Sequence, residues 1–208
     1  MPERGILVVL AGGNGVGKDT LAPLLAKKMT DCGASTSSLY GPTANSATNA
    51  LQNTVLNKET TPNSYFSQAL AYFALHAEVA ETVVVPILNS GERVVLNRGP
   101  ETTLAYNVLG RKIENKYPAL QIIYDQIYNM LQPNLAIVLN TSVEIALSRA
   151  SQQVDTDLFQ QQAFAVHEQR RQIYLNLAEK YGWAIVDATP SVENVLNSAW
   201  SHVLPLLR

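Results

Sequence analysis

The stretch Ile6–Thr20, read ILVVLAGGNGVGKDT, constrains the fold more than any other part of the chain. An apolar run of strand length passes directly into closely spaced glycines, then a lysine, then a helix-compatible segment. Gly12, Gly13, Gly15 and Gly17 let the backbone turn sharply and present amide hydrogens to an anion. A helix starting at Lys18 aims its positive end at the same place. The spacing nearly matches the phosphate-binding pattern G-x-x-x-x-G-K-[ST]. The departure is Asp19, where that pattern has a hydroxyl facing a metal. An acid in the first turn also suits the helix dipole whatever the function. Thr20 still offers a hydroxyl one position on.

A strand followed by a loop and a helix needs further parallel strands beside it. Four more runs supply them: Ser35–Gly41, the faintest, Arg93–Arg98, Leu135–Asn140 and Trp183–Ala188. Apart from Ser35–Gly41 the strand runs are unbroken apolar stretches, as expected when both faces of a sheet are covered. Helical segments are predicted over Lys18–Thr30, Tyr65–Leu88, Phe159–Tyr181 and Ser191–Val203. Within the third, Tyr174, Leu177 and Tyr181 share one face and read as core. The alternation predicts a doubly wound α/β fold, with five parallel strands and helices on both faces. Ligands in such folds bind beyond the carboxyl ends of the strands. Hence the glycine loop, Gly41-Pro42, Asn97-Arg98 and Asn140-Thr141 are expected to share one crevice.

Of the 208 residues 47% are hydrophobic and 15% charged, which excludes a disordered chain. The net charge of −2 argues against general binding to nucleic acid or anionic membranes. Cys32 is the only cysteine and suits a reducing compartment. His76, His167 and His202 lack metal-ligand spacing. ILVVLAG is too short to span a bilayer and lacks the basic start of a signal peptide. These features lead to the expectation of a soluble cytoplasmic protein forming a single domain over 1–208.

The segment NRGPETTLAYNVLGRK, Asn97–Lys112, resembles the thymidylate kinase segment that runs Asp-Arg, a Ser or Thr pair, Ala-Tyr-Gln and Gly-Arg. Arg98, Thr102, Thr103, Ala105, Tyr106, Gly110 and Arg111 fall in register, with Asn107 in the place of Gln. PNLAIVLNTSVEIALSRA (Pro133–Ala150) is similar to the family's fourth strand and the helix before its lid. RQIYLNLA and IVDATPSVENV resemble its C-terminal stretch. With the glycine loop, the likeness covers most of the chain in the family's order.

The resemblance implies a P-loop NTPase-type nucleoside monophosphate kinase with a short lid at about 149–162. It implies transfer of the γ-phosphoryl of ATP, with Mg²⁺, to a deoxynucleoside monophosphate, dTMP before any other. It also implies a homodimer. By position, the loop Gly12–Thr20 including Asn14 and Val16, with Lys18, holds the ATP phosphates, and Arg149 lies at the lid and nucleotide edge. Lys18, Arg98 and Arg149 are the catalytic candidates. Asn14, Pro42, Tyr72, His76, Arg98, Thr103, Tyr106 and Asn107 are the acceptor-side candidates. Asp19 and Asn97 are the candidate metal partners.

Several positions depart from the family. Ala11 replaces a glutamate, Asn14 and Asn97 replace aspartates, Asn140 replaces an acid, and His76 replaces an arginine. Members with no arginine in the loop usually carry one in the lid. Here Val16 occupies the loop position, and no Lys or Arg lies between Arg149 and Arg170. Asp19 is read as the carboxylate that strand three lacks at Asn97. Two alternatives stand beside the kinase reading: a catalytically weak nucleotide-binding protein of this fold, and a kinase for another nucleotide or small acceptor.

Overall fold

The five expected runs all form strands in one parallel sheet. A computed structural model describes residues 3–41, 44–57, 60–151 and 164–207. The strands are β1 (Leu7–Ala11), β2 (Thr36–Tyr40), β3 (Arg93–Asn97), β4 (Leu135–Asn140) and β5 (Ala184–Asp187). Their order is β2-β3-β1-β4-β5 and every neighbouring pair is parallel. β1 therefore lies between β3 and β4, and the chain leaves β1 toward one side and later returns to the other. The carboxyl end of β1 is the topological switch point where a crevice opens.

Strand periodicity divides the core. Leu7, Val9 and Ala11 face one apolar layer with Phe73, Leu120 and Tyr174. Val8 and Leu10 face the opposite layer with Leu21, Leu25 and Val195. Each residue of β1 is buried, which is why the run is apolar without alternation. β2, at the sheet edge, is only half covered, and its Ser and Thr content follows from that.

The second layer is built by α1 (Lys18–Thr30), which buries Leu21, Ala22, Leu25, Ala26 and Met29 along one stripe. Full burial of one such leucine is worth about 1.5–3 kcal/mol. The helices α2 (Ser46–Leu56) and α3 (Tyr65–Val79) follow. α3 continues through a π turn, Ala80–Val84, into α4 (Val85–Asn89). The wider turn accommodates Pro86, whose ring would clash with the Thr82 carbonyl in a regular helix. By length and composition Tyr65–Asn89 could cross a membrane. In this fold Ala69, Phe73, Val79, Ala80, Val84 and Leu88 of that run are in the core instead.

After β3 come α5 (Pro100–Thr103), a second π turn (Leu104–Val108) and a 3-10 turn (Leu109–Arg111). Gly99 is the N-cap of α5 with Pro100 in its first turn. α6 (Ala119–Leu131) buries Leu120, Tyr124, Ile127 and Leu131. α7 (Val143–Ser151) precedes the undescribed residues, and α8 (Phe164–Tyr181) and α9 (Val192–Val203) follow them. α8 buries Tyr174 and Leu177, and Tyr181 packs on the same core. Most of the expected lid, and the expected helix start at Phe159, lie outside the described residues.

Candidate functional site

The loop after β1 folds back over the sheet because its glycines take conformations closed to other residues. Gly12, Gly15 and Gly17 have φ of 129°, 76° and 96°. A Cβ at Gly12 would lie 2.6 Å from the Leu139 carbonyl oxygen, and one at Gly15 would lie 2.0 Å from that of Ala146. The loop is thus pressed against β4 and α7. Gly17 caps α1, and Lys18 begins it. Lys18 is 3% exposed. Its Nζ donates to the carbonyls of Gly12 at 2.9 Å and Gly13 at 2.6 Å. Burial, and then the Arg98 charge, lower its pKa well below the ordinary range, while Asp19 and Glu101 oppose the shift. An incoming polyphosphate would favour the charged form, so the lysine is poised to gain an anionic partner.

The strand-end residues meet here. Asn97 Nδ2 donates to Asp19 Oδ1 at 2.6 Å, and Arg98 Nη2 donates to Asn14 Oδ1 at 2.6 Å. Gly41 N donates to the Asn97 carbonyl at 2.8 Å, which brings the end of β2 alongside. Pro42 lies outside the described residues. Asn140 Oδ1 accepts from Arg171 Nε at 2.8 Å, and Thr141 contacts Thr189 hydroxyl to hydroxyl.

A cavity of about 310 Å³ is bounded by Gly15, Gly17, Thr20, Arg149, Ala188 and Val192. Lys18, Asp19 and Arg98 also line it. Arg149 donates to the carbonyls of Ala188 at 2.6 Å and Thr189 at 3.0 Å. That places its guanidinium on the cavity rim, at the end of β5. Val16 is buried at 6% exposure and belongs to the core beneath the loop. A second, smaller cavity adjoins Gly13, Asn14, Val16, Tyr106, Arg170 and Arg171. Arg170 lies 4.4 Å over the Tyr106 ring, whose edge meets Tyr174 at 6.3 Å.

Tyr72 and His76 stand one turn apart on α3. Burial and the neighbouring Tyr40 raise the Tyr72 pKa. His76 is 3% exposed, and burial followed by the Arg98 charge pushes it down to about 3, so it is neutral. The Arg98 guanidinium sits 6.0 Å over the Tyr40 ring. Thr103 is buried at 1% exposure, and Tyr106 and Asn107 share the π turn beside it.

The donor set suits Mg²⁺. The ion takes hard oxygens, usually one or two carboxylates with phosphate and water completing the shell. Asp19 supplies a carboxylate. The neighbouring Asn97 Oδ1 is buried and has no hydrogen-bond partner among the described residues. Among those residues no three His, Cys, Asp or Glu converge.

Two features here carry no mark in the sequence. Arg98 has a left-handed backbone, φ 69°, uncommon outside glycine and a hallmark of strained functional turns. Glu101 is buried at 1% exposure behind it. Only its place inside the Asn97–Lys112 segment could have drawn attention to it.

The thymidylate kinase family model matches residues 10–199. Thymidylate kinase of Pseudomonas syringae pv. tomato is 28% identical, covering 98% of this chain and 96% of its own. That of Pelobacter propionicus is 27% identical, covering 96% and 94%. The enzyme of Deinococcus radiodurans is 27% identical, covering 97% of each chain. With the phosphate loop, the strand-three arginine and the family model aligned over most of its length, the chain belongs to the thymidylate kinase family.

Proposed function

We propose that this enzyme phosphorylates dTMP to dTDP with ATP and Mg²⁺, using Lys18 and the loop amides for the donor and Arg98 for the acceptor phosphate. The observation that carries this reading is the meeting of Lys18, Asp19, Asn97, Arg98 and Asn14 at the carboxyl ends of β1 and β3. Two polyanions must approach each other in the reaction, so cations have to converge where charge develops. Mg²⁺, when bound, offsets phosphate charge, and Asp19 and Asn97 would hold it. The acceptor phosphate is already an anion, so no strong general base is needed.

Arg149, fixed to two carbonyls on the rim, belongs to the nucleotide edge. Arg170 opens toward the cavity beneath Asn14 and Val16, where the family's loop arginine would reach. We assign it the charge-stabilising role that Val16 cannot fill. Tyr72, His76, Thr103, Tyr106 and Asn107 form the acceptor wall, with Pro42 beside it. A single domain with a lid at about 149–162, a homodimer, a cytoplasmic location and no nucleic-acid or membrane partner complete the proposal.

A coupled ADP-release assay over a panel of nucleoside monophosphates tests it. Turnover strongest with dTMP, and lowered about 10²–10³-fold or more by Lys18→Ala, is expected. Nucleotide binding without turnover would establish the weak-binder alternative, which the Val16 loop favours. Turnover of a different acceptor alone would replace dTMP in the reading.

A further inference from the structure

Glu101 occupies the first turn of α5, where acids ordinarily sit in solvent near the helix dipole. This one is 1% exposed. Burying a carboxylate carries a heavy desolvation penalty unless hydrogen bonds hold it. Its Oε1 accepts the Gly99 N–H at 2.8 Å and the Thr102 hydroxyl at 3.4 Å. Its Oε2 has no partner among the described residues. Lys18, Tyr124 on α6 and Tyr174 on α8 lie within electrostatic reach.

Gly99 makes room for this carboxylate. A Cβ there would lie 2.4 Å from Glu101 Oε2 and 3.3 Å from Val9 Cγ1. The backbone at Gly99, φ −86° and ψ −167°, is open to any residue, so the missing side chain is what the site uses. The direction of the Gly99 N–H is set by the ψ of Arg98, the residue held in a left-handed conformation. The Glu101 bond therefore pins the peptide that follows Arg98. The Arg98 N–H to the Leu10 carbonyl, 3.1 Å, pins the peptide before it.

We propose that Glu101 is a positioning residue for Arg98: its buried carboxylate holds the Arg98–Gly99 peptide and so aims the guanidinium at the acceptor phosphate. This rests on the assignment of Arg98 to that phosphate. Four variants of the full-length enzyme test it by steady-state kinetics and thermal unfolding. Arg98→Ala sets the scale and is expected to raise the KM for dTMP. Glu101→Leu removes the acceptor oxygen, and Gly99→Ala displaces the carboxylate from the other side. Each is expected to raise the KM for dTMP about tenfold while the KM for ATP stays within about twofold. Glu101→Gln keeps the acceptor oxygen and is expected to bring the KM for dTMP back to within about threefold of the unaltered enzyme.

Should Glu101→Leu not fold, Gly99→Ala decides alone. The proposal is overturned if Arg98→Ala raises the KM for dTMP and neither other change does. It is equally overturned if both KM values rise together with a fall in unfolding temperature, the pattern of a merely structural group. If Arg98→Ala itself leaves the KM for dTMP unchanged, the fault lies with the role given to Arg98.

Discussion

Exchanging Asp19 and Asn97 tests whether one carboxylate has moved from β3 into the glycine loop. The two side chains touch at 2.6 Å through a hydrogen bond to a charged acceptor. Asp19→Ser replaces that charged acceptor with a shorter, neutral hydroxyl, so the amide of Asn97, 5% exposed, keeps only a weaker partner for Nδ2 and none for Oδ1. Exchanging a charged for a neutral acceptor costs about 0.5–2 kcal/mol. At about 2–4 °C per kcal/mol for a chain of this size, the unfolding temperature should fall by roughly 1–8 °C. Asn97→Asp instead brings two carboxylates together at the present 2.6 Å spacing. Their repulsion is about 6 kcal/mol at an effective dielectric of about 20. Asp19 is exposed and can swing into solvent, so about 1–2 kcal/mol should persist. In the double variant one acid stands at 97 with a serine hydroxyl to donate to it, and stability should recover. Titration of Mg²⁺ at fixed ATP is the second assay. Asp19→Ser should weaken the Mg²⁺ dependence of ATP binding about 10–100-fold, and the double variant should regain most of that. An Asp19→Ser enzyme with unchanged Mg²⁺ dependence, or a double variant no better than it, would refute the relocation and leave Asp19 a helix-start acid.

Two further outcomes follow from the buried groups around Arg98. His76, pushed down to about 3, is neutral when folded but protonated when unfolded below its ordinary 6.5, so its contribution is lost as pH falls from 6.5 toward 3. Glu101, pushed up to about 7 by burial, stays protonated when folded above its ordinary 4.5, so its contribution is lost as pH rises from 4.5 toward 7. Each slope is about 1.4 kcal/mol per pH unit, and they oppose between about 4.5 and 6.5. Glu101→Gln should therefore expose a stability that climbs with pH across that window; a parallel pH profile of unfolding temperature in both proteins would contradict the pairing. Gly41→Ala would set a Cβ 1.6 Å from the Arg98 carbonyl oxygen, a backbone collision. A loss of about 2–4 kcal/mol, read from denaturant unfolding, is expected, with a raised KM for dTMP as Arg98 shifts.

β1, β3 and β4 were legible because burial on both faces leaves only apolar residues to read; of the strand ends, Asn97-Arg98 meets the glycine loop, while Asn140 lines the neighbouring cavity. β2 was faint because an edge strand with half-covered side chains keeps Ser37 and Ser38. α6 was not named, although Leu120, Tyr124, Ile127 and Leu131 have helical spacing. It begins after Pro118 without a side-chain cap and ends at Gln132 with φ 43°, so neither boundary is punctuated in the usual way. The two π turns escape any periodicity argument, since a single extra residue only shifts the phase. The pairing of Asn14 with Arg98 depends on a loop side chain meeting the end of β3, which no local pattern records. The burial of Glu101 runs against the ordinary reading of a charged residue as surface, and only the packing of α5 against α3 and α6 creates it.

The closeness of Gly15 to the Ala146 carbonyl has a consequence for how information passes through the enzyme. No slack separates the loop from the backbone of α7, so a displacement of one is a displacement of the other. Arg149, one turn further along α7, is in turn fastened to the end of β5. A ligand that selects one shape of the loop therefore selects one seating of α7 and of that rim. By reciprocity, a change in the seating of α7 alters loop affinity by the same factor.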